Sequence, residues 1–243
     1  MKKNLSFILA ASLFLTFTGC SKETQNSSET ESAPYYSSVS DVTLAKIIDR
    51  TKPVNMVEYK GGFKQTFDYS GFGDDNVDNA EIYLCYKKTD DIIEINQVAN
   101  YPDNYFNLIY MSNDKDDPHV YNQSPVGCTT DKFTDSDFQT MFENTVLGYS
   151  DLEAELGDVK EEGDKYIATV KISTDGTEAG ADTITIDPET GLVLSVKSSD
   201  NSSGQEISVI SEFTYSSDIK IDRTPKENAA ETEEQTEESS TEN

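Results

Sequence analysis

Apolar side chains return at every second position through most of the middle of this chain, and at every third or fourth position in two places. In residues 63–69, Phe63, Phe67 and Tyr69 share one face and Lys64, Thr66 and Asp68 the other, the period of a half-buried strand. In residues 82–87, Ile82, Leu84 and Tyr86 alternate with Tyr83, Cys85 and Lys87. Lys88-Thr89-Asp90 then turns tightly into residues 92–99, so the two runs predict a hairpin. Residues 106–111 and 119–123 predict two more strands across a polar turn. Residues 54–59, bounded by Gly61-Gly62, also read as a strand. From residue 158 onward the chain predicts a meander with strands over 166–173, 183–186, 192–198 and 205–215. Its turns fall at Glu162-Gly163-Asp164, in a loop from Asp175-Gly176 to Gly180, at Asp187-Pro188-Glu189-Thr190-Gly191 and at 200–204. In the third of these, proline suits the second turn position and glycine a left-handed one.

The helical period appears first after Ser40 or Asp41, either of which can cap a helix carrying Val42, Leu44, Ile47 and Ile48 before Pro53 stops the pattern. It returns after Thr134 or Asp135, where Phe138, Met141, Phe142 and Thr145-Val146 recur until Gly148, and residues 152–156 read as a further short turn. About nine strands and two helices joined by short connections define an α+β class: a long antiparallel sheet with helices on one side. A sheet this long must curl, and its concave face must be covered by something apolar. Leu44, Ile47, Ile48, Phe138, Met141 and Phe142 are the residues to cover it. Filling the concavity completely makes them an ordinary core, and leaving a gap makes them the lining of a ligand cavity. The pattern alone leaves both readings open.

The chain begins differently. Lys2 and Lys3 precede an apolar run over residues 5–17, too short to span a bilayer as a lasting helix, so residues 1–19 read as an export signal. A cysteine directly after Thr18-Gly19 resembles the lipobox of bacterial lipoproteins, although Phe17 stands where that motif usually has leucine. The resemblance implies that the Cys20 thiol takes a diacylglyceryl group and becomes the first residue of the mature chain. The alternative is an ordinary secretory signal. Two or three acyl chains, at about 0.8 kcal/mol per buried methylene, hold a protein durably where one does not. The expected product is a monomeric domain on the extracytoplasmic side of a cell membrane, held there by its lipid anchor. Residues 20–38, rich in Ser, Thr, Glu and Gln, form a flexible tether; residues 39–223 are the folding unit; residues 224–243, with Glu227, Glu231, Glu233 and Glu234 among their acids, are a solvated acidic tail.

Charge narrows the function. The net charge of −27 repels phosphate backbones and excludes nucleic-acid binding. It also repels anionic lipid surfaces, which leaves membrane attachment to the covalent anchor. Of the three cysteines, Cys85 and Cys128 remain once Cys20 carries lipid, and an exported chain meets no cytosolic reductant. A bridge between them would close a loop of roughly 40 residues and stabilise by about 3–4 kcal/mol in the chain-entropy description. Two separately buried free thiols are the alternative. A single histidine, His119, excludes a multi-histidine metal site, and the chain has no G-x-S-x-G elbow, no HExxH and no phosphate-cradling glycine loop. The cluster Asp74-Asp75-Asn76-Val77-Asp78-Asn79 has alternate oxygen ligands like a calcium loop but lacks the glycine at its sixth position and has Cys85, not Glu, at its twelfth, so a polar turn is the simpler reading. No cofactor and no catalytic residue is expected.

The order of an N-terminal helix, a run of strands, a helical insertion and a closing meander resembles the LolA/LppX-like lipoproteins. The segment Ile184-Thr185-Ile186-Asp187-Pro188-Glu189-Thr190-Gly191-Leu192, followed by a polar strand, a turn at Gly204 and the run into Pro225, carries most of the likeness. The resemblance implies an open half-barrel whose helices cross the concave face, with an apolar cavity between them for an acyl chain or a whole lipid. Two further classes stay in play beside such a carrier: a surface module that binds another envelope protein or a wall glycan through its tyrosines, and, last, an enzyme.

Overall fold

The structure, a computed structural model, describes residues 33–72, 79–101, 106–114, 119–124, 127–132, 139–140, 142–149, 153–200 and 207–223. The signal segment, Cys20, the tether through residue 32 and the acidic tail lie outside the described residues, as does the Asp74–Asp78 acid cluster. In the first half of the chain the strands are β1 (Gly62–Asp68), β2 (Glu81–Thr89), β3 (Ile92–Asn100), β4 (Phe106–Ser112), β5 (His119–Ser124) and β6 (Gly127–Lys132). The second half supplies β7 (Glu153–Glu162), β8 (Lys165–Thr174), β9 (Thr177–Ile186), β10 (Val193–Asp200) and β11 (Ile207–Tyr215). They form one antiparallel sheet in the order β6-β5-β4-β3-β2-β1-β11-β10-β9-β8-β7. Each half is a meander, and the two meet where β1 pairs with β11, Phe63 opposite Tyr215. β6 and β7 end the sheet without joining, so the architecture is an open α+β half-barrel, as the strand pattern and the resemblance both led one to expect.

Two helices lie against the centre of the sheet. α1 (Leu44–Arg50) starts where the Thr43 side chain accepts a hydrogen bond from the Lys46 amide at 3.3 Å, two to three residues later than the expected cap. α2 (Pro53–Lys60) occupies the stretch read above as a strand. Pro53 stops the first helix but also opens the second, because its missing N–H is one that a helix leaves unbonded at its first position anyway. Gly61, at φ 76°, closes α2 with its amide on the Val57 carbonyl at 2.7 Å. Pro53, Met56 and Val57 are the residues it buries, a helical spacing that a six-residue window does not separate from alternation.

The sheet holds two more strands than expected. Residues 153–162 form β7, not a short turn, with a register shift between Leu156 and Val159. Residues 127–132 form β6 just before the helical insertion. β9 begins directly after Asp175-Gly176 because both residues take positive φ (52° and 72°), the two-residue hairpin turn whose twist matches the strands. The β2–β3 hairpin is as expected, Thr89 opposite Ile92.

The main core lies between the helices and the sheet. Ile47, Met56 and Val57 meet Phe63, Tyr86, Ile95, Val170 and Ile184, among others. Each such side chain contributes about 1.5–3 kcal/mol on burial. The N-terminal segment joins this core: Tyr36, placed in the tether by composition, is 1% exposed. The Tyr35 and Tyr36 amides donate at 3.0 Å to the carbonyls of Glu189 and Pro188 in the β9–β10 turn, and the Arg50 guanidinium stacks on the Tyr35 ring. That turn is pre-shaped by Thr190 Oγ1 donating to Asp187 Oδ2 at 2.8 Å and by Gly191 at φ 72°.

Candidate functional site

The helix-covered face holds those expected cavity residues that the structure describes. Ile47 is fully buried, and Phe142 is 7% exposed in the same cluster; Leu44 and Ile48 are half-buried against it. Phe138 and Met141 lie outside the described residues. α1 therefore turns one residue to the floor of the concave face and two to its rim. The insertion is helical at residues 139–140 and 142–143. It is pinned beside α1 by the Thr51 and Thr145 hydroxyls at 2.7 Å and by the Val146 amide on the Thr51 carbonyl at 2.9 Å. Thr51 also returns a hydrogen bond to the Ile47 carbonyl at 2.9 Å, so one small polar residue ties the insertion to the first helix.

A second attachment was not visible in the sequence. Tyr149 donates to Asp182 Oδ2 at 2.5 Å inside the core. Burial raises the Asp182 carboxyl above its ordinary value, against hydrogen bonds from Tyr149 and Ser198 that lower it. Burial, then the neighbouring carboxylate, pushes the Tyr149 phenol up as well. A polar residue at an inward position of β9, between Gly180 and Ile184, is the signal that could have marked this pair; alternation alone assigned nothing there.

The Cys85–Cys128 bridge is not formed. Cys85 is a buried free thiol on β2, and Cys128 lies on β6 opposite Gln123. β3, β4 and β5 stand between them, and at about 4.8 Å per strand the α-carbons are far beyond the roughly 7 Å that a disulfide tolerates. Burial pushes the Cys85 thiol up to about 11, which keeps it protonated and unreactive at neutral pH. Among the described residues no group of three or more His, Cys, Asp or Glu could hold a metal ion. No helix among them is long and apolar enough to cross a membrane.

The opposite face of β2–β4 is covered by residues 216–223, which follow β11 and cross back over the sheet as a strap. Ser216 extends the ladder with its amide on the Gly62 carbonyl at 3.0 Å. A Cβ on Gly62 would sit 2.8 Å from the Tyr86 carbonyl of β2 and 3.0 Å from the Ser216 carbonyl, so glycine lets β2 and the start of the strap both lie this close. Ile221 packs on a small apolar cluster of Val98, Leu108 and Tyr110. Asn96 is buried and reads the strap backbone: its Oδ1 accepts from the Asp222 amide and its Nδ2 donates to the Asp222 carbonyl, both at 3.1 Å. Arg223 holds both oxygens of Glu94 at 2.6 Å, and Tyr110 donates to the same carboxylate at 3.1 Å. Burial and then the Glu94 charge push the Tyr110 phenol up to about 12. Between the strap and the sheet runs an open groove of about 480 Å³.

No family model and no curated protein matches this sequence. Solved structures to which the chain is similar include the lipoprotein LppX of Mycobacterium tuberculosis, at 8% identity and a TM-score of 0.40, over 73% of this chain and 98% of that one. A DUF1329 family protein from Desulfovibrio piger is similar at 8% identity and a TM-score of 0.32, over 72% and 94% of the two chains. A LolA superfamily protein from Nitrosomonas europaea is similar at 8% identity and a TM-score of 0.30, over 76% and 96%. These are likenesses of chain path.

Proposed function

We propose that the protein is a membrane-anchored extracytoplasmic lipoprotein, attached through Cys20, whose helix-covered face takes up an apolar ligand, an acyl chain or a whole lipid. The observation that carries this reading is a rim of half-buried apolar side chains around the packed centre: Leu44 and Ile48 on α1, Leu84 on β2, Met111 on β4, and Val146 and Leu147 after the insertion. Apolar surface left part-wet costs about 25 cal/mol for every Å² that a ligand could cover. An open sheet lets one edge of the face yield to a ligand without breaking a closed ladder. In this reading Ile47 and Phe142 are floor, while Leu44 and Ile48, with Phe138 and Met141, touch the ligand.

The test is a titration of the purified domain with a fluorescent fatty acid, beside a detergent-free mass spectrum for co-purifying lipid. Saturable binding that weakens in the double variant Leu44→Gln, Ile48→Gln, with the fold retained, supports the reading. Absence of both probe binding and lipid overturns it. The second reading is a surface module that binds another envelope protein or a wall glycan. The complete burial of Ile47, the near-complete burial of Phe142 and the exposed rings of Tyr35 and Tyr59 favour it.

A further inference from the structure

The groove behind the sheet is built from both ends of the sequence. Its wall on the sheet is Lys87 and Glu94, direct neighbours across the β2–β3 ladder; its other wall is the strap, through Asp218, Ile219, Lys220, Ile221 and Arg223. Glu94 is already committed, its two oxygens held by Arg223 and one of them also by Tyr110. Lys52, Lys88, Lys160 and Lys165 each pair with a carboxylate. Lys87 and Lys220 have no such partner among the described residues. Asp218 adds one negative charge at the groove, so with the Glu94–Arg223 pair neutralised the lining stays net positive on a chain of net charge −27. Other lysines, Lys171 and Lys197 among them, also lack a carboxylate partner among the described residues; what sets Lys87 and Lys220 apart is that both line one concavity, from the sheet and from the strap.

We infer that this groove is a binding site for a phosphate ester, held by Lys87 from the sheet and Lys220 from the strap. Two ammonium groups on separate elements act as point charges that can grip a tetrahedral oxyanion from two sides. The planar fork that would suit a carboxylate belongs to Arg223 and is occupied by Glu94. A volume of about 480 Å³ exceeds what bare phosphate fills and lies within the range of small-molecule sites. Ile219 and Ile221 offer apolar surface to the carbon body of the ester. The same chemistry can arrive as a free ester or as a phospholipid headgroup. Because the strap supplies most of the walls, an occupant that bridges Lys87 and Lys220 also holds the strap down, and binding and strap docking are linked. The site is on the opposite face from the apolar rim, and its success or failure is independent of the carrier reading.

The test uses the mature chain without its lipid, followed by NMR or calorimetry with glycerol phosphate as the free ester, and by vesicle flotation with phosphatidylglycerol as the headgroup source. The net charge suppresses background binding of anions, so a saturable signal reports a local site. Binding to either probe is expected, with a loss of about tenfold for each of Lys87→Gln and Lys220→Gln. Lys197→Gln, an exposed lysine on β10 outside the groove, serves as the control and should change nothing. Flotation alone identifies a headgroup and glycerol phosphate alone a free ester; each upholds the site when the two groove variants weaken it. No saturable binding to either probe, or binding that both groove variants leave intact, overturns it.

Discussion

At its N-terminal end the folded chain is fastened by Tyr36, a large side chain sunk into the main core, and by two backbone bonds to the β9–β10 turn. At its C-terminal end it is fastened on the other face by polar groups: the Asn96 amide on the Asp222 backbone and the Glu94 carboxylate on Arg223, beside a modest apolar contact at Ile221. Apolar burial is non-directional and is not screened by salt as an ion pair is. The polar strap gains its register from hydrogen-bond geometry, and its ionic part is screened because the Arg223 side chain is 64% exposed although Glu94 is only 4% exposed. One end is held by surface removed from water; the other is positioned by direction and charge. The first arrangement suits a permanent attachment, the second a segment that can lift.

The largest break in this comparison is Tyr36→Ala, expected to cost about 3–5 kcal/mol in urea melts, as for other fully buried aromatics. Tyr36→Phe sharpens it. The Tyr36 hydroxyl is buried without a hydrogen-bond partner among the described residues, so its removal should be neutral or stabilising. Asn96→Ala comes next at about 1–3 kcal/mol, since it removes the buried amide side chain that makes two hydrogen bonds to the Asp222 backbone. Hydrogen exchange should then rise first in residues 216–223. Glu94→Gln is smaller, about 1 kcal/mol after allowance for the exposed arginine, and its difference from wild type should shrink at high salt.

The smallest effect is expected on the helix-covered face, at Asp182→Asn. A carboxyl whose folded pKa is raised binds its proton more readily folded than unfolded, so its contribution to stability falls as pH rises from the ordinary carboxyl range through the raised value. At neutral pH the variant should therefore match or exceed wild type, and the gap should close on acidification. A variant less stable than wild type at neutral pH would show that Asp182 is retained for its charge.

Alternation exposed the strands whose two faces differ, and it was sufficient for β1, for the β2–β3 hairpin and for the Asp187–Gly191 turn. It misassigned α2, because Val54, Met56 and Val57 fit either period and Pro53 serves equally to end one helix and start the next. It missed the role of Tyr36 and Asp222, since a segment that docks on a finished sheet needs only one or two residues of the right shape and leaves its composition polar. The disulfide failed for a related reason: pairing depends on strand order, and spacing along the chain says nothing about the three strands that separate β2 from β6. At the candidate site the apolar residues of α1 were legible from their period. The Tyr149–Asp182 contact and the Lys87–Lys220 groove were not, because each joins elements far apart in the chain.

The strand order also bears on how the molecule forms. Each meander is made of neighbours in sequence, so β2 through β6 and β7 through β10 can zip from their own short turns. The β1–β11 ladder alone must wait for almost the entire folding unit to be gathered in, and closing so long a loop is the entropic step that retards folding in sheet proteins. The seam between Phe63 and Tyr215 lies directly beneath α2 and between the two fastened ends of the chain. Completion of that seam would bring Gly62 against Ser216 and start the strap across the back of the sheet. Assembly of the rear groove is in this way tied to the last long-range event of folding, and a half-formed molecule with two separate wings would not yet possess it.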